Sequence, residues 1–298
     1  ADLLSSILEA IEKVTEGFDK QTIKRLVLST TLTTNAIVQN KMSRTGVIIE
    51  SGPGLPHDFL KIHDDTYFVD GYIDHRGKVI KNFTRDSIVK IQDELKKKGI
   101  QYAGIISKFS TRNNSHETEI AEILSKQLVF SSQGHKISGN LNFPRRINTA
   151  YLNAAVYEIH KKFVTSVLEV MKKQNITAPV YMLKADGGTI LIEESVDVPV
   201  QTITSGPAAS IMGILGLAAN EECMVALDIG GTTTDIAIIH KGAPLLEPEG
   251  ITIDKYKTLI RALYTHSIGA GGDSTVKYDN GFIIGPERKD VAFCQGGK

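Results

Sequence analysis

The chain has 298 residues, 41% of them hydrophobic and 23% charged, with 34 basic side chains against 34 acidic ones. That length can bury a sizeable core, as one large domain or two of ordinary size, and the composition is that of a globular protein. A formal net charge of zero argues against a general nucleic-acid binder or a protein held on acidic membranes, since both classes carry a basic excess.

In chain order, Leu3, Leu4, Ile7, Leu8 and Ile11 form a 3.6-period stripe that predicts a first helix. Leu26-Val27-Leu28 and Gly46 to Ile49 read as buried strands, and Tyr67 to Ile80 as a hairpin turning at His75-Arg76-Gly77. Thr84 is placed as the N-cap of a helix carrying Ile88, Ile91 and Leu95, closed by Lys96 to Gly99. After a strand at Tyr102 to Ile106, Asn114 with Glu117 has the form of a capping box before Ile120, Ile123 and Leu124. A single long helix is expected from Asn148 to Lys173, with Leu152, Val156, Ile159, Phe163, Val167 and Val170 on one stripe. Strand Val180 to Leu183, a turn at Asp186-Gly187-Gly188, a helix opened by Ser205-Gly206-Pro207 and the strand pair Met224–Ile229 and Ile236–Ile239 follow. Such alternation implies an α/β fold with mixed sheets flanked by helices, with a boundary near 147 that divides the chain into 1–146 and 147–298.

Cys223 and Cys294 are the only cysteines. They lack metal-ligand spacing and are too few for a disulfide framework, so a reducing, cytoplasmic setting is expected. No stretch reaches the roughly 18 uninterrupted apolar residues of a membrane span, and no signal peptide is read at the start. The termini, Ala1-Asp2-Leu3 and Gly296-Gly297-Lys298, read as cut from a longer protein.

The sharpest chemical signal is Asp228-Ile229-Gly230-Gly231-Thr232-Thr233-Thr234-Asp235, a double-glycine turn between apolar strands. Glycines there tolerate positive φ and close ligand approach, and the turn can aim backbone N–H groups at a phosphate oxygen. Thr232, Thr233 and Thr234 add hydroxyls, while Asp228 and Asp235 are placed for a Mg²⁺ shell or for orienting an attacking group. A Gly-Gly hairpin also exists without any ligand, but three threonines and two framing aspartates are more than a turn requires. No Lys follows the glycines, so this is no P-loop. A second glycine-rich stretch, His266-Ser267-Ile268-Gly269-Ala270-Gly271-Gly272-Asp273-Ser274, reads as a turn entering a helix, where Gly269, Gly271 and Gly272 would admit a nucleotide; a purely structural glycine turn explains it equally well. Thr30, Thr31, Thr34 and Asn35, at a strand-to-helix junction, can bind a polar substrate or cap the helix. Asp186 and Gly187 are further substrate-binding candidates that a plain turn also explains. His57, His63, Asp64 and Asp65 cluster without an element to fix their spacing, which is weak grounds for a metal.

Six segments in order, STTLTTNA, the helix with Asn153-Ala154-Ala155, KADGG, TSGPAAS, LDIGGTTTD and HSIGAGGDS, resemble the hydantoinase A/5-oxoprolinase family, which includes acetone carboxylase subunits. The resemblance implies the actin-like ATPase (ribonuclease H-like) fold, with two lobes around a cleft and a second, facing phosphate hairpin near the N-terminus that this sequence lacks. It departs at Leu28-Ser29, where the family has His-Gly, at Ala185, where it has Ser, and at Asp273, where it has a third glycine. It implies ATP and Mg²⁺ as cofactors and phosphorylation of a substrate carbonyl oxygen in ATP-dependent hydrolysis of cyclic amides. A hydantoinase B-like partner is implied as well. The alternatives are an ATP-dependent ketone carboxylase subunit, or a non-catalytic nucleotide-binding scaffold of the same fold.

Overall fold

The computed structural model describes residues 3–217 and 223–288; Ala1, Asp2, Cys294 and the Gly296-Gly297-Lys298 end lie outside them. The N-terminal half is organised by a four-stranded parallel sheet in the order Thr66–Phe68, Thr45–Glu50, Tyr102–Ser107, Phe130–Gln133. Its two central strands are buried along nearly their whole length, which explains why both read as continuous apolar runs. Helices Arg85–Lys97 and Ser115–Leu124 cover one face through Ile88, Ile91, Leu95, Ile120 and Leu124. Helix Phe143–Ala155 covers the other, with Ile147, Ala150, Tyr151 and Leu152 buried against Val47, Ile49 and Ile106.

A second layer holds strands Leu26–Leu28, Val180–Leu183 and Thr189–Leu191, the first pair parallel and the second antiparallel. Helices Leu3–Thr15 and Tyr157–Lys173 pack on it through Ile11, Phe163, Val164, Val167 and Val170. The third sheet is built from Cys223–Ile229, Thr234–His240, Ala243–Pro244 and Thr265–Ile268. Mixed sheets flanked by helices are therefore what the chain forms, and among the described residues no helix is long and apolar enough to cross a membrane.

Four local expectations change. The single helix Asn148–Lys173 is two, Phe143–Ala155 and Tyr157–Lys173, broken at Val156 with φ −100° and ψ 0°. The Ala155 carbonyl, which a continuous helix would use internally, instead accepts from the Ser43 N–H at 3.0 Å, and Tyr157 turns to stack on Phe130 at 4.0 Å. The hairpin expected over Tyr67–Ile80 shrinks to Tyr72–Ile73 with Val79–Lys81, because Thr66–Phe68 pairs parallel to Thr45–Glu50 instead. Its turn is as read, with the Asp74 carboxylate accepting from the N–H groups of Arg76 and Lys78. Asn114 and Glu117 make no capping box. The Glu117 carboxylate is fully buried and accepts from the N–H groups of Ser107 and His135, joining two strand ends. Thr84 stands at its N-cap position but makes no side-chain cap bond. The glycine-rich stretch after His266 enters strand Ser274–Tyr278, not a helix.

Two buried titratable groups set an acid limit on this fold. His160 lies fully buried on helix Tyr157–Lys173 with Nε2 2.8 Å from Ser195 Oγ, and that hydroxyl donates to the Ile192 carbonyl. The imidazole must therefore donate through Nε2, leaving Nδ1 without a partner. Burial disfavours the proton that would sit there and pushes His160 down from 6.5 to about 4. Asp65 accepts from Arg44 and Lys98, and the Arg44 hydrogen bonds above all, then those of Lys98, hold its carboxyl down at about 2, from 3.8. Both groups bind fewer protons folded than unfolded between those values, so stability falls as pH falls. The His160 contribution, roughly 3 kcal/mol, is full above pH 6.5 and lost on the way to about 4. That of Asp65, roughly 1–2 kcal/mol after discounting for the exposed Arg44, is lost between 3.8 and about 2. Denaturant unfolding as a function of pH checks this. His160→Gln is expected to flatten the profile between pH 6.5 and 4, and Asp65→Asn only below it.

Candidate functional site

Strands Cys223–Ile229 and Thr234–His240 pair antiparallel with Asp228 opposite Asp235 and Ile229 opposite Thr234. The turn between them is Gly230 to Thr233, closed by the Gly230 N–H donating to the Thr233 carbonyl at 2.9 Å. Neither Gly230 nor Gly231 adopts positive φ, so the glycines are not there for backbone freedom. They are there for close approach: a Cβ on Gly231 would lie 2.7 Å from Asp273 Oδ2, and one on Gly271 2.6 Å from the backbone of Gly230 and Gly231.

The two glycine-rich segments thus form one object. Strand Thr265–Ile268 pairs antiparallel with the hairpin's second strand, Asp235 opposite Ser267. The loop beyond it folds back over the turn, with the N–H groups of Gly272 and Asp273 donating to the carbonyls of Gly230 and Gly231 at 2.9 and 2.8 Å. The Thr234 hydroxyl donates to Ala270 and the Gly271 N–H to Ser274 Oγ. Gly271, Gly272 and Thr234 accordingly use their donors to hold the loop on the turn. The N–H groups of Gly231, Thr232 and Thr233 find no acceptor among the described residues and stand exposed at the tip.

Each framing carboxylate is held by a serine that sequence reasoning did not single out. Ser210 Oγ donates to Asp228 Oδ2 at 2.5 Å, and Ser267 Oγ donates to Asp235 Oδ1. Asp228 Oδ1 and Asp235 Oδ2 keep no hydrogen-bond partner among the described residues. Both serines were visible, Ser210 closing TSGPAAS and Ser267 within HSIGAGGDS, but nothing in the sequence says which carboxylate each one meets. Strand alternation puts both aspartates on the face carrying Ala226, Ala237 and Ile239, which packs on Ala208 and Ile211 of helix Ser205–Leu217.

That helix also collects the other candidates. Buried Ser205 donates to the Thr30 carbonyl at 3.1 Å and lies 3.2 Å from Ser29 Oγ. Thr33 and Thr202 share a buried hydroxyl contact at 3.1 Å, and Thr34 Oγ1 accepts from the Thr204 N–H at 3.0 Å. Thr204 has φ +59°, a strained conformation for a β-branched residue. Thr31 is the N-cap residue of helix Leu32–Val38 without a side-chain cap bond; its hydroxyl accepts from exposed Asn35. Thr30 Oγ1 accepts from the Leu32 N–H. The segment's hydroxyls therefore serve largely to dock it on the Ser205 helix. The turn at Asp186 to Gly188 packs on the same helix, where a Cβ on Gly187 would meet Met212 Sδ at 2.8 Å, and Gly187 has φ +81°. His57, His63, Asp64 and Asp65 do not assemble. His57 stacks on Phe68, His63 Nδ1 accepts from the Asp65 N–H, and Asp65 is taken by Arg44 and Lys98. Among the described residues no group of three or more metal-ligating side chains forms.

Sequence profiles decide the family. The hydantoinase/oxoprolinase profile matches residues 146–292, and the profile of the hydantoinase/oxoprolinase N-terminal region matches 1–128. The chain belongs to the hydantoinase/oxoprolinase family. Among curated relatives it is 26% identical over 189 residues to the uncharacterized protein MJ0964 of Methanocaldococcus jannaschii, a match covering 62% of this chain and 28% of that one. It is 23% identical over 217 residues to the acetophenone carboxylase gamma subunit of Aromatoleum aromaticum, covering 70% of this chain and 29% of that one. Two solved structures superpose on nearly the whole chain. A nucleotide-free acetone carboxylase gives a TM-score of 0.76 at 19% identity, over 96% of this chain and 45% of that one. The ATP-dependent caprolactamase from Pseudomonas jessenii gives 0.77 at 18%, over 99% and 47%. The fold of this family member is thus actin-like, and it spans under half the length of these relatives.

The contact between loop and turn is testable with adjacent glycines. Gly271→Ala drives a methyl into the Gly230-Gly231 backbone and is expected to cost about 1–3 kcal/mol. Gly272→Ala meets its nearest atom only at 3.9 Å and is expected to be nearly neutral. Thermal unfolding of the two variants beside wild type is the measurement; equal losses would mean the loop does not rest on the turn.

Proposed function

We propose that this chain is the nucleotide-holding part of an ATP-dependent enzyme that opens cyclic amides. The observation that carries the reading is the hairpin tip, where exposed, unpaired N–H groups stand beside two cross-strand carboxylates. ATP, when bound, supplies the phosphoryl group that activates a substrate carbonyl toward water. Toward it, the N–H groups of Gly231, Thr232 and Thr233 and the hydroxyls of Thr232 and Thr233 offer donors to phosphate oxygens. Gly230 and the loop glycines Gly269, Gly271 and Gly272 keep the approach free of side chains, while Thr234 fixes the loop.

The donor set also fits Mg²⁺ in the mode that ion prefers, with one or two carboxylates and the remaining positions left to water and phosphate. Asp228 and Asp235 each keep one oxygen for that purpose while a serine fixes the other. Substrate-side roles for Thr30, Thr31, Thr34, Asn35, Asp186 and Gly187 belong to the same proposal, as do the division into 1–146 and 147–298, a cytoplasmic setting and a hydantoinase B-like partner.

A second reading, an ATP-dependent ketone carboxylase subunit, is favoured by the likeness to the acetophenone carboxylase gamma subunit. It would use the same nucleotide grip, so the grip is what to test first. Calorimetry of this chain with ATP and Mg²⁺ is expected to show binding that Asp235→Asn weakens by about tenfold or more, the loss of one charge-assisted contact. The Asp235→Asn melting temperature is expected to stay within a few degrees of wild type, because the amide oxygen can still accept the bond that Ser267 donates to this half-exposed side chain. Absence of nucleotide binding by the wild-type chain, or loss of binding only in step with unfolding, would overturn the assignment. Turnover by this chain alone is expected to be slow, since one hairpin holds phosphate from one side only.

A further inference from the structure

The four-stranded parallel sheet reverses its strand order at Thr45–Glu50. The sheet's next strand in sequence, Thr66–Phe68, lies on one side of it, and the one after, Tyr102–Ser107, lies on the other. In open α/β sheets a crevice forms outside the carboxyl ends of the strands at such a reversal, and ligands bind there. A cavity of about 380 Å³ occupies that place, lined by the segments that leave Thr45–Glu50 and Thr66–Phe68. Its size falls within the roughly 300–1,000 Å³ of small-molecule pockets.

The walls are flat and fixed by their neighbours. His57 stacks on Phe68 with ring centroids 3.8 Å apart and planes 3° from parallel. Tyr72 lies against Gly52, where φ is +57° and a Cβ would overlap the ring. Gly71 rests on Glu50, whose buried carboxylate bonds His116, and a side chain at Gly71 would push the wall off that support. Ile80 adds an apolar surface.

The polar groups are few, and the buried one lacks a partner. Ser51, only 3% exposed, lines the cavity, and its hydroxyl makes no hydrogen bond among the described residues. A buried hydroxyl without a partner costs free energy, which a ligand atom that bonds it recovers. At the rim Lys81 Nζ bonds Asp70 Oδ2 at 2.6 Å, and Asp70 Oδ1 takes no bond among the described residues. This pair cancels its own charge, so the mouth offers no net attraction to an ion.

We propose that this cavity binds a neutral planar aromatic ring bearing a donor beside an acceptor, the edge that a nucleobase and an aromatic carboxamide share. The ring packs against Tyr72, Phe68 and Ile80, its acceptor takes the Ser51 hydroxyl, and its donor reaches Asp70 Oδ1. The site belongs to a different sheet from the Asp228–Asp235 hairpin and stands independently of the nucleotide reading.

The test is protein-observed NMR on the whole chain, with nicotinamide and adenine as probes. Benzoate, which is charged and has no donor, and cyclohexanecarboxamide, the same amide on a saturated ring, are the controls. At least one probe is expected to bind about tenfold or more tightly than either control, with shift changes at Ser51, Gly52, Phe68 and Tyr72. Binding of adenine alone assigns the site to a nucleobase, and binding of nicotinamide alone to a carboxamide. Ser51→Ala and Asp70→Ala are each expected to weaken the preferred probe about threefold to tenfold. Both variants are expected to melt near wild type, because the hydroxyl has no protein partner to lose and the Lys81–Asp70 pair is exposed. Equal binding of the controls, no binding of either probe, shift changes centred on Gly230 to Thr234, or an affinity that survives both substitutions would overturn the proposal.

Discussion

Helix Ser205–Leu217 can lie against a strand-helix junction, a turn and a hairpin at once because its contact residues are small or flexible. Ser205 and Gly206 allow the Ser29–Thr31 backbone to come within hydrogen-bonding range, Ala208 fits under Ala226 and Ala237, and Met212 bends around Gly187. Larger residues would hold these segments apart. The helix also carries the hydroxyl that fixes Asp228. Displacing it would therefore loosen the Gly230-Gly231 hairpin, the Asp186 turn and the Thr30 segment together. Thr204, strained at φ +59° immediately before the helix, is held there by Thr34 and is the position where that alignment is set.

The glycines follow the same logic of distance. Gly231 and Gly271 are required because backbone and the Asp273 side chain come where a Cβ would be, not because the chain needs a left-handed conformation there. Gly187 needs both, with positive φ and Met212 against it. A sequence displays a glycine identically in either case, and only the packing partner distinguishes them.

That distinction explains what could be read from the sequence. Element type was legible wherever one chain segment decides it, as in the parallel core strands, the hairpin Cys223–Ile229 with Thr234–His240, and the Ser205 helix. It failed where a distant partner intervened. The break at Val156 depends on Ser43 taking the Ala155 carbonyl, and the fate of Glu117 depends on strand ends at Ser107 and His135. Thr66–Phe68 changed sheets because Thr45–Glu50 offered a parallel edge. Of the site, Asp228 and Asp235 and both glycine-rich stretches were readable as motifs. Their joining into one object was not, nor were Ser210 and Ser267 as the groups that hold the carboxylates.

The hydroxyls show why motif content and binding capacity differ. Ser205, Thr33, Thr34 and Thr234 sit in motifs rich enough in donors to suggest a ligand, yet each bonds another part of this chain. Such a bond contributes about 1 kcal/mol to the fold, and a ligand could claim that hydroxyl only by replacing it. The donors left over in these motifs lie at the hairpin tip, on Gly231, Thr232 and Thr233. Backbone N–H groups on a tight turn are already oriented before anything binds, so they lose little entropy on contact. The phosphate grip proposed for this turn would therefore draw on backbone already fixed by the fold and leave the motif hydroxyls to their structural bonds.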